Sequence, residues 1–268
     1  MSSKRVLYIT QEIFPYLPES NISTISRHLP QAIQEKGREI RTFMPRFGNI
    51  NERRNQLHEV IRLSGMNLII NDTDHPLIIK VASIQAARMQ IYFIDNDDFF
   101  SRKFTTEDDN GEEFADNDER SIFYVRGVME TIKKLRWIPD IIHCHGWMTA
   151  LTPLFIKRAY ADDPCFKGSK IVYSLYGDEM KRPFSPDFIN KVSLDGITDD
   201  DVKDLEGETD FVKLTNFALK YSDGVIQSSE TINPQLLKSA QESGIPFLPF
   251  NPDFNTWTEE VNSFYEQF

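Results

Sequence analysis

The stretch DIIHCHGWMTAL, residues 140–151, decides the fold. Apolar Ile141 and Ile142 run into His143, Cys144 and His145, and Gly146 and Trp147 then lead into a helix-like start. A strand therefore ends where a polar rim begins. Strand-like runs rich in Val, Ile, Phe and Tyr recur on both sides of it, at RVLYIT, EIRTFM, LIIKVAS, MQIYFID, KIVYSLY and DGVIQS, with helical patterns between several of them. Such alternation is the mark of an α/β fold, a doubly wound and mostly parallel sheet.

Residues 4–44 read as a βαβ unit. Ile22, Ile25, Leu29 and Ile33 recur at spacings of three and four, and Gly37 follows as a helix stop. Pro30 lies inside that pattern and is expected to kink the helix or to end its first part. A second helix, over about 118–136, carries Ile122, Val125, Met129 and Ile132 on one face, and the acidic residues of 116–119 suit its N-terminal end. Further helices are expected over 149–160 and 211–221, and a short amphipathic one closes the sequence over 255–268. Residues 45–90 break the alternation. Two strand-like segments there flank the polar NDTDHP turn without a crossover helix, so they read as an antiparallel hairpin insertion. Nothing repeats internally, and residues 1–268 read as a single domain.

Two polar segments, 95–119 and 195–210, read as solvated, mobile acidic loops. The first holds eleven acidic residues against Arg102 and Lys103. As a calcium loop it fails, because placing Gly111 at the central glycine puts Thr106 first and Asn117 twelfth, where carboxylates belong.

With 30 Lys and Arg against 41 Asp and Glu, the net charge is −11, which argues against a surface that tracks nucleic-acid phosphates. No stretch approaches the roughly 18 apolar residues of a membrane span, and the N-terminus runs straight into a strand rather than through a secretory signal. A cytoplasmic protein with no nucleic-acid or membrane partner is expected. Cys144 and Cys165 are too sparse for a disulfide framework and read as free thiols.

His143 and His145 lie two apart on a strand and share a face, but no third ligand is near them in sequence, so no metal is expected. Cys144 points the other way among apolar neighbours and reads as structural. Neither G-x-G-x-x-G after the first strand nor G-x-x-x-x-G-K-[ST] occurs, and no cofactor is assigned. What remains is a crevice at the C-terminal ends of parallel strands, lined by the loops after RVLYIT, DIIHCH and KIVYSLY.

The pieces VLYITQEIFPY, HLPQAIQEKGREIRTFMPRFG, IYFIDNDDFF, WIPDIIHCHGWMTALTPLFIK, YADDPCFKGSKIVYSLY and NFALKYSDGVIQSSE, taken in this order, resemble the N-terminal half of bacterial glycogen synthases and plant starch synthases. That family moves glucose from a sugar nucleotide onto an α-1,4-glucan. The resemblance implies the Rossmann-like half of a GT-B glycosyltransferase, whose C-terminal domain holds most nucleotide-sugar contacts. The chain reaches Phe268 before any motif of that second domain. Three departures stand out against the family pattern. Where members carry Lys-x-Gly-Gly-Leu, this chain has Pro18, Glu19, Ser20, Asn21 and Ile22. Where they have His-Asp-Trp it has His145, Gly146 and Trp147, and where they have Ile-His-Asn it has Leu175, Tyr176 and Gly177.

The sequence therefore implies a domain of polysaccharide metabolism that lacks autonomous glucosyl transfer and acts by glucan or protein binding, with no catalytic residue assigned. The candidate ligand-binding rim comprises Glu12, Ser20, Asn21, His143, His145, Gly146, Trp147, Tyr176 and Gly177. Two alternatives stay open. One is a glucosyltransferase acting from ADP-glucose with a C-terminal domain supplied in trans; the other is a homodimerising structural protein. The rim's ligand would be an α-glucan or a sugar nucleotide.

Overall fold

The computed structural model describes residues 4–268. β1 (Arg5–Thr10) leads through α1 (Asn21–Glu35) to β2 (Glu39–Pro45), the βαβ unit expected from the sequence. After the short β3 (His58–Glu59) come β4 (Met66–Ile70), β5 (Thr73–Ile84) and β6 (Met89–Asp95), then the one-turn α2 (Asp97–Phe100) and the long α3 (Asn117–Leu135). β7 (Ile141–His145), α4 (Thr152–Lys157) and β8 (Lys170–Leu175) resume the alternation. The small helices α5 (Phe188–Lys191) and α6 (Asp199–Val202) precede α7 (Phe211–Lys220) and β9 (Gly224–Gln227), and α8 (Pro234–Glu242), β10 (Phe247–Leu248) and α9 (Phe254–Tyr265) follow.

The strands pair in the order β10-β9-β8-β7-β1-β2-β6-β5-β3, with β4 on β5, and every pairing from β10 to β6 is parallel. β1 sits between β2 and β7, so the chain winds outward from it in both directions. In open α/β sheets such a reversal is where a crevice is expected, here at the carboxyl ends of β1 and β7. Alternation along the central strands divides the core. Leu7, Ile9, Ile142, Cys144, Ile171 and Tyr173 join the larger cluster on one face. Val6, Tyr8, Ile141, Val172 and Ile226 meet Leu29 and Ile33 of α1 and Trp257, Val261, Phe264 and Tyr265 of α9 on the other.

Several expectations need correction. α1 does not end at Pro30 but continues to Glu35, because Ile22, Leu29, Pro30 and Ile33 are all buried and their packing outweighs the lost hydrogen bond. The antiparallel hairpin exists, but its turn is only Asn71 and Asp72, with φ of 48° and 61°, as in a two-residue turn of type I′. Thr73–Pro76 of the NDTDHP segment belong to β5, where Pro76 is tolerated because pairing with β6 starts at Ile78. β5 of the hairpin also joins the main sheet beside β6. The helix expected over 149–160 is confined to Thr152–Lys157 after a single 3₁₀ turn at Trp147–Thr149.

The acidic segments are not solvated loops throughout. Asn96 caps α2 by accepting from the backbone of Asp98 and Phe99, and Phe99 and Phe100 are buried. Arg102 grips Asp116 with two hydrogen bonds of 2.9 and 2.6 Å. Arg120, 0 % exposed, donates to Phe99 O and Asn117 and lies over the rings of Phe47, Phe100 and Phe114. In the second segment a capping box on Thr198 starts α6, and Val202 and Leu205 are buried.

α9 closes one face of the sheet. Its Glu259 and Glu266 pair with Lys36 and Arg38 at the turn from α1 to β2, and Trp257 is 2 % exposed. Trp257→Ala is expected to lower the unfolding free energy by about 3–5 kcal/mol, the range for truncating a buried tryptophan. Urea denaturation of the two proteins measures it, and a loss below about 1 kcal/mol would show that α9 is not part of the cooperative core.

Candidate functional site

Parallel pairing places Thr10, His145 and Ser174 side by side at the ends of β1, β7 and β8, with Tyr8 beside His143 one step inward. His143 and His145 share the face of the sheet that α9 covers, as their spacing predicts, and their ring centroids are 4.0 Å apart. Both are 0 % exposed. His143 uses both nitrogens, Nδ1 at 2.6 Å from the Tyr265 hydroxyl and Nε2 at 2.7 Å from Ser174 Oγ. The network continues from Ser228 Oγ, which donates to Ser174 Oγ at 2.8 Å, and through the Tyr8 and Tyr265 hydroxyls, 3.2 Å apart. His145 Nδ1 meets the Tyr176 hydroxyl at 2.7 Å, while its Nε2 has no hydrogen-bond partner among the described residues.

Burial governs the protonation of these groups. Removal from water pushes His145 down to about 3, and it holds His143 well below the usual imidazole range, with the neighbouring His145 adding to the effect. Both rings are neutral at pH 7. On the opposite face the Cys144 thiol is pushed up to about 12 by burial, so it is a structural thiol rather than a nucleophile. Among the described residues, no group of three or more His, Cys, Asp or Glu is placed to hold a metal ion.

The expected rim divides into two sets. Gly146, Trp147 and Tyr176 line one small cavity, together with Asp178, Phe211 and Thr215. Trp147 and Tyr176 thus share a pocket, but its volume of about 10 Å³ has room for roughly one water molecule and none for a sugar. Trp147, 4 % exposed, packs edge-on against Phe184 at 6.0 Å. Its surroundings make it an anchor for the chain after β7.

Glu12, Ser20, Asn21 and Gly177 lie at the surface or half-buried. A cleft of about 420 Å³ runs between Asn21 at the start of α1 and Asn233–Pro234 at the start of α8, with Gly177, Asp178, Glu179 and Thr231 on its walls. No lysine or arginine lines it. Ser20 Oγ donates to Glu12 at 2.7 Å, and burial together with the charge of Asp178 raises Glu12 above the usual carboxylate range. The turn before α1 is closed on itself. Ser20 Oγ accepts from Ser23 N, Ser23 Oγ accepts from Ser20 N, and Ser23 Oγ also donates to Pro18 O. Two backbone donors at this helix start, those of Ser20 and Ser23, are thereby occupied.

Gly146 and Gly177 are held by close neighbours. Gly146 has φ of 90°, and a Cβ there would stand 2.7 Å from Gln11 Cβ; Gln11 Oε1 accepts from Met148 N at 3.1 Å and fixes this arrangement. A Cβ at Gly177 would stand 2.6 Å from Thr231 O. The parts of the site that sequence reasoning missed are Tyr8, Gln11, Ser174, Asp178 and Tyr265. Register alone could have placed Ser174 beside His145, whereas nothing local announces Tyr265.

A family model described as the starch synthase catalytic domain matches residues 5–246. The glycogen synthase of Chlorobaculum parvum is 34% identical over 241 residues, covering 89% of this chain and 48% of that protein. That of Chlorobium limicola is 38% identical over 173 residues, covering 64% of this chain and 35% of that protein. The chain spans about half the length of the first of these relatives or less. Among solved structures, the catalytic domain of starch synthase IV from Arabidopsis thaliana, bound to ADP and acarbose, superposes with a TM-score of 0.74 at 18% identity, covering 96% of this chain and 53% of that one.

Two outcomes follow from this geometry. The folded-state pKa of each buried histidine lies below the unfolded value of about 6.5, so the unfolded chain binds more protons as pH falls from about 6.5 toward 3. Stability is therefore full above pH 6.5 and is lost below it, by up to about 1.4 kcal/mol per pH unit for each histidine. His145→Gln is expected to make that fall shallower, which urea unfolding at several pH values between about 7.5 and 5 reads directly; unchanged slopes would contradict the assignment. Gly146→Asp, although it brings in the residue of the family pattern, is expected to cost about 1–3 kcal/mol because it strains a left-handed position against Gln11. A melting temperature at or above that of the unaltered protein would refute this.

Proposed function

The chain belongs to the starch synthase catalytic domain family, and from that premise we propose that it acts in α-glucan metabolism by holding glucan, without transferring glucose on its own. The burial of the His143–His145 pair carries this reading. Both rings are neutral, sealed from solvent and largely satisfied within the fold, so neither presents a group to a sugar. Glucosyl transfer needs groups aimed at the charge that develops on the leaving phosphate and on the sugar. On the walls of the open cleft stand Asp178 and Glu179 instead, and carboxylates repel a pyrophosphate. We place this role in the cytoplasm, a compartment that suits the free thiols Cys144 and Cys165. Among the described residues no helix is long and apolar enough to cross a membrane.

A second reading is supported by the position of the 420 Å³ cleft, which is open at the strand ends where a further domain could close over it. Transfer from ADP-glucose to α-1,4-glucan would then depend on a C-terminal glycosyltransferase domain. The pure chain given labelled ADP-glucose and glycogen is expected to incorporate no glucose above a protein-free blank, while its migration in a native gel is slowed by glycogen cast in the gel. Incorporation by the chain alone would overturn the proposal, and incorporation only after a C-terminal domain is added would establish the second reading.

A further inference from the structure

A hollow of about 490 Å³ is lined by α5, the turn that follows it and α6, within and just before the second acidic segment. Among the described residues it shares none with the strand-end cleft. Ile189 and Ile197, both half-buried, and Val202 give it apolar walls, while Asp199 and Glu206 are its two carboxylates. No lysine or arginine among the described residues lines it. We infer that this hollow is a docking site for a partner protein, which presents a basic amphipathic segment to it. The inference goes beyond the glucan reading and does not rest on it, since the two use different surfaces.

Charge identifies the occupant. Residues 195–210 carry eight acidic residues against Lys203 alone. The cations nearby are already paired, Arg158 with Asp201, Lys203 with Asp200 at 2.8 Å and Lys220 with Asp204. The Lys213 ammonium reaches the backbone oxygens of Glu206 and Glu208, not their carboxylates. Asp199 and Glu206 are exposed and make no ion pair among the described residues. Free carboxylates beside accessible isoleucines call for a ligand that carries cations next to apolar groups, which a helix with lysines and leucines on adjoining faces supplies. Nucleic acid, an anionic membrane surface and a sugar phosphate all have the sign of charge that the hollow repels. A bare metal ion would leave the isoleucines without a role, and among the described residues no group of three or more His, Cys, Asp or Glu is placed to hold one.

The walls of the hollow are fixed from behind. Phe188 of α5 and Val192 just after it are 0 % and 1 % exposed, and Lys191 between them pairs with the buried Asp118 at 2.8 Å and with Glu119 at 2.9 Å on α3. Ile197 N donates to Leu194 O at 2.9 Å and closes the turn. Thr198 N and Oγ1 both donate to Asp201, at 3.0 and 2.8 Å, and the Tyr221 hydroxyl donates to Asp201 O at 2.7 Å. Leu205, in the 3₁₀ turn after α6, is fully buried. A surface held in this way loses little entropy when a partner docks.

The test is fluorescence anisotropy of a dye-labelled synthetic peptide, leucine and lysine at helical spacing, titrated with the full chain. The unaltered protein is expected to bind it and to ignore a peptide with glutamate in place of every lysine. Ser193→Trp fills the hollow from an exposed position without changing charge, and Asp199→Asn/Glu206→Gln removes two charges while keeping shape. Each is expected to weaken binding at least tenfold. Asp72→Asn/Glu242→Gln removes as many charges at exposed positions outside the hollow and is expected to stay within twofold of the unaltered protein. If circular dichroism shows Ser193→Trp misfolded, the Asp199 and Glu206 variant carries the test. No binding by the unaltered chain, or an equal loss in Asp72→Asn/Glu242→Gln, would overturn the inference. Binding retained in Asp199→Asn/Glu206→Gln would place the peptide elsewhere and overturn it as well. A dimer of the pure chain in sedimentation that dissociates in Asp199→Asn/Glu206→Gln, with no peptide bound, would make the occupant a second copy and refute the partner assigned here.

Discussion

The Tyr265 hydroxyl, shared between His143 and Tyr8, is the contact on which the arrangement at the strand ends depends. An imidazole taken wholly out of water must be neutral and must find partners for its nitrogens, or the desolvation cost is not recovered. On the neighbouring strand β8, Ser174 stands in register with His145 and reaches back to satisfy one nitrogen of His143. The other is met from α9, an element that starts more than a hundred residues later. Trp257, Val261 and Phe264 supply the burial that keeps α9 there, and the pairings of Lys36 and Arg38 fix its position along the α1–β2 turn. Histidine burial and helix docking thus support one another.

This coupling also explains which parts of the structure were legible in the sequence. Val6 and Tyr8 alternate with Leu7 and Ile9, and Ile22, Leu29 and Ile33 share a helical face, so local spacing was enough for the first βαβ unit. The shared face of His143 and His145 was legible for the same reason, as was the convergence of Trp147 and Tyr176 on one cavity. What spacing could not convey is what lies over that face. Tyr265 meets His143 across 122 positions, and Tyr8 meets Tyr265 across 257. A rim that looked open from strand order alone is closed by a helix whose docking only the assembled fold reveals. The acidic segment 95–119 misled for a related reason. Its carboxylates read as solvated, but Asp95 pairs with Arg46 and Lys80 and Asp116 with Arg102, so much of that charge is spent on internal structure.

The departures from the family pattern are linked by packing. Gln11 fills the space a side chain at Gly146 would need and hydrogen-bonds the backbone of Met148, so the loop after β1 and the turn after β7 are locked together. Ser20 and Ser23 cap the helix start reciprocally, each side chain accepting from the other's backbone. Restoring one residue type would meet a backbone already shaped around its absence, because cores and tight turns are bistable rather than continuously deformable.

Charge is distributed in keeping with that shape. Among the described residues, the strand-end cleft has Asp178 and Glu179 and no cation on its walls, whereas the hollow beside Arg54 has amides and no carboxylate. An acidic wall discriminates strongly against a nucleotide diphosphate and weakly against an uncharged sugar, since only the former carries charge to repel. Repulsion of a charged donor and admission of an uncharged sugar are therefore separable in electrostatic terms. The charge that repels stands on Asp178 and Glu179 after β8, and the Arg46–Asp95–Lys80–Glu52 cluster holds the turn after β2 in place independently of it.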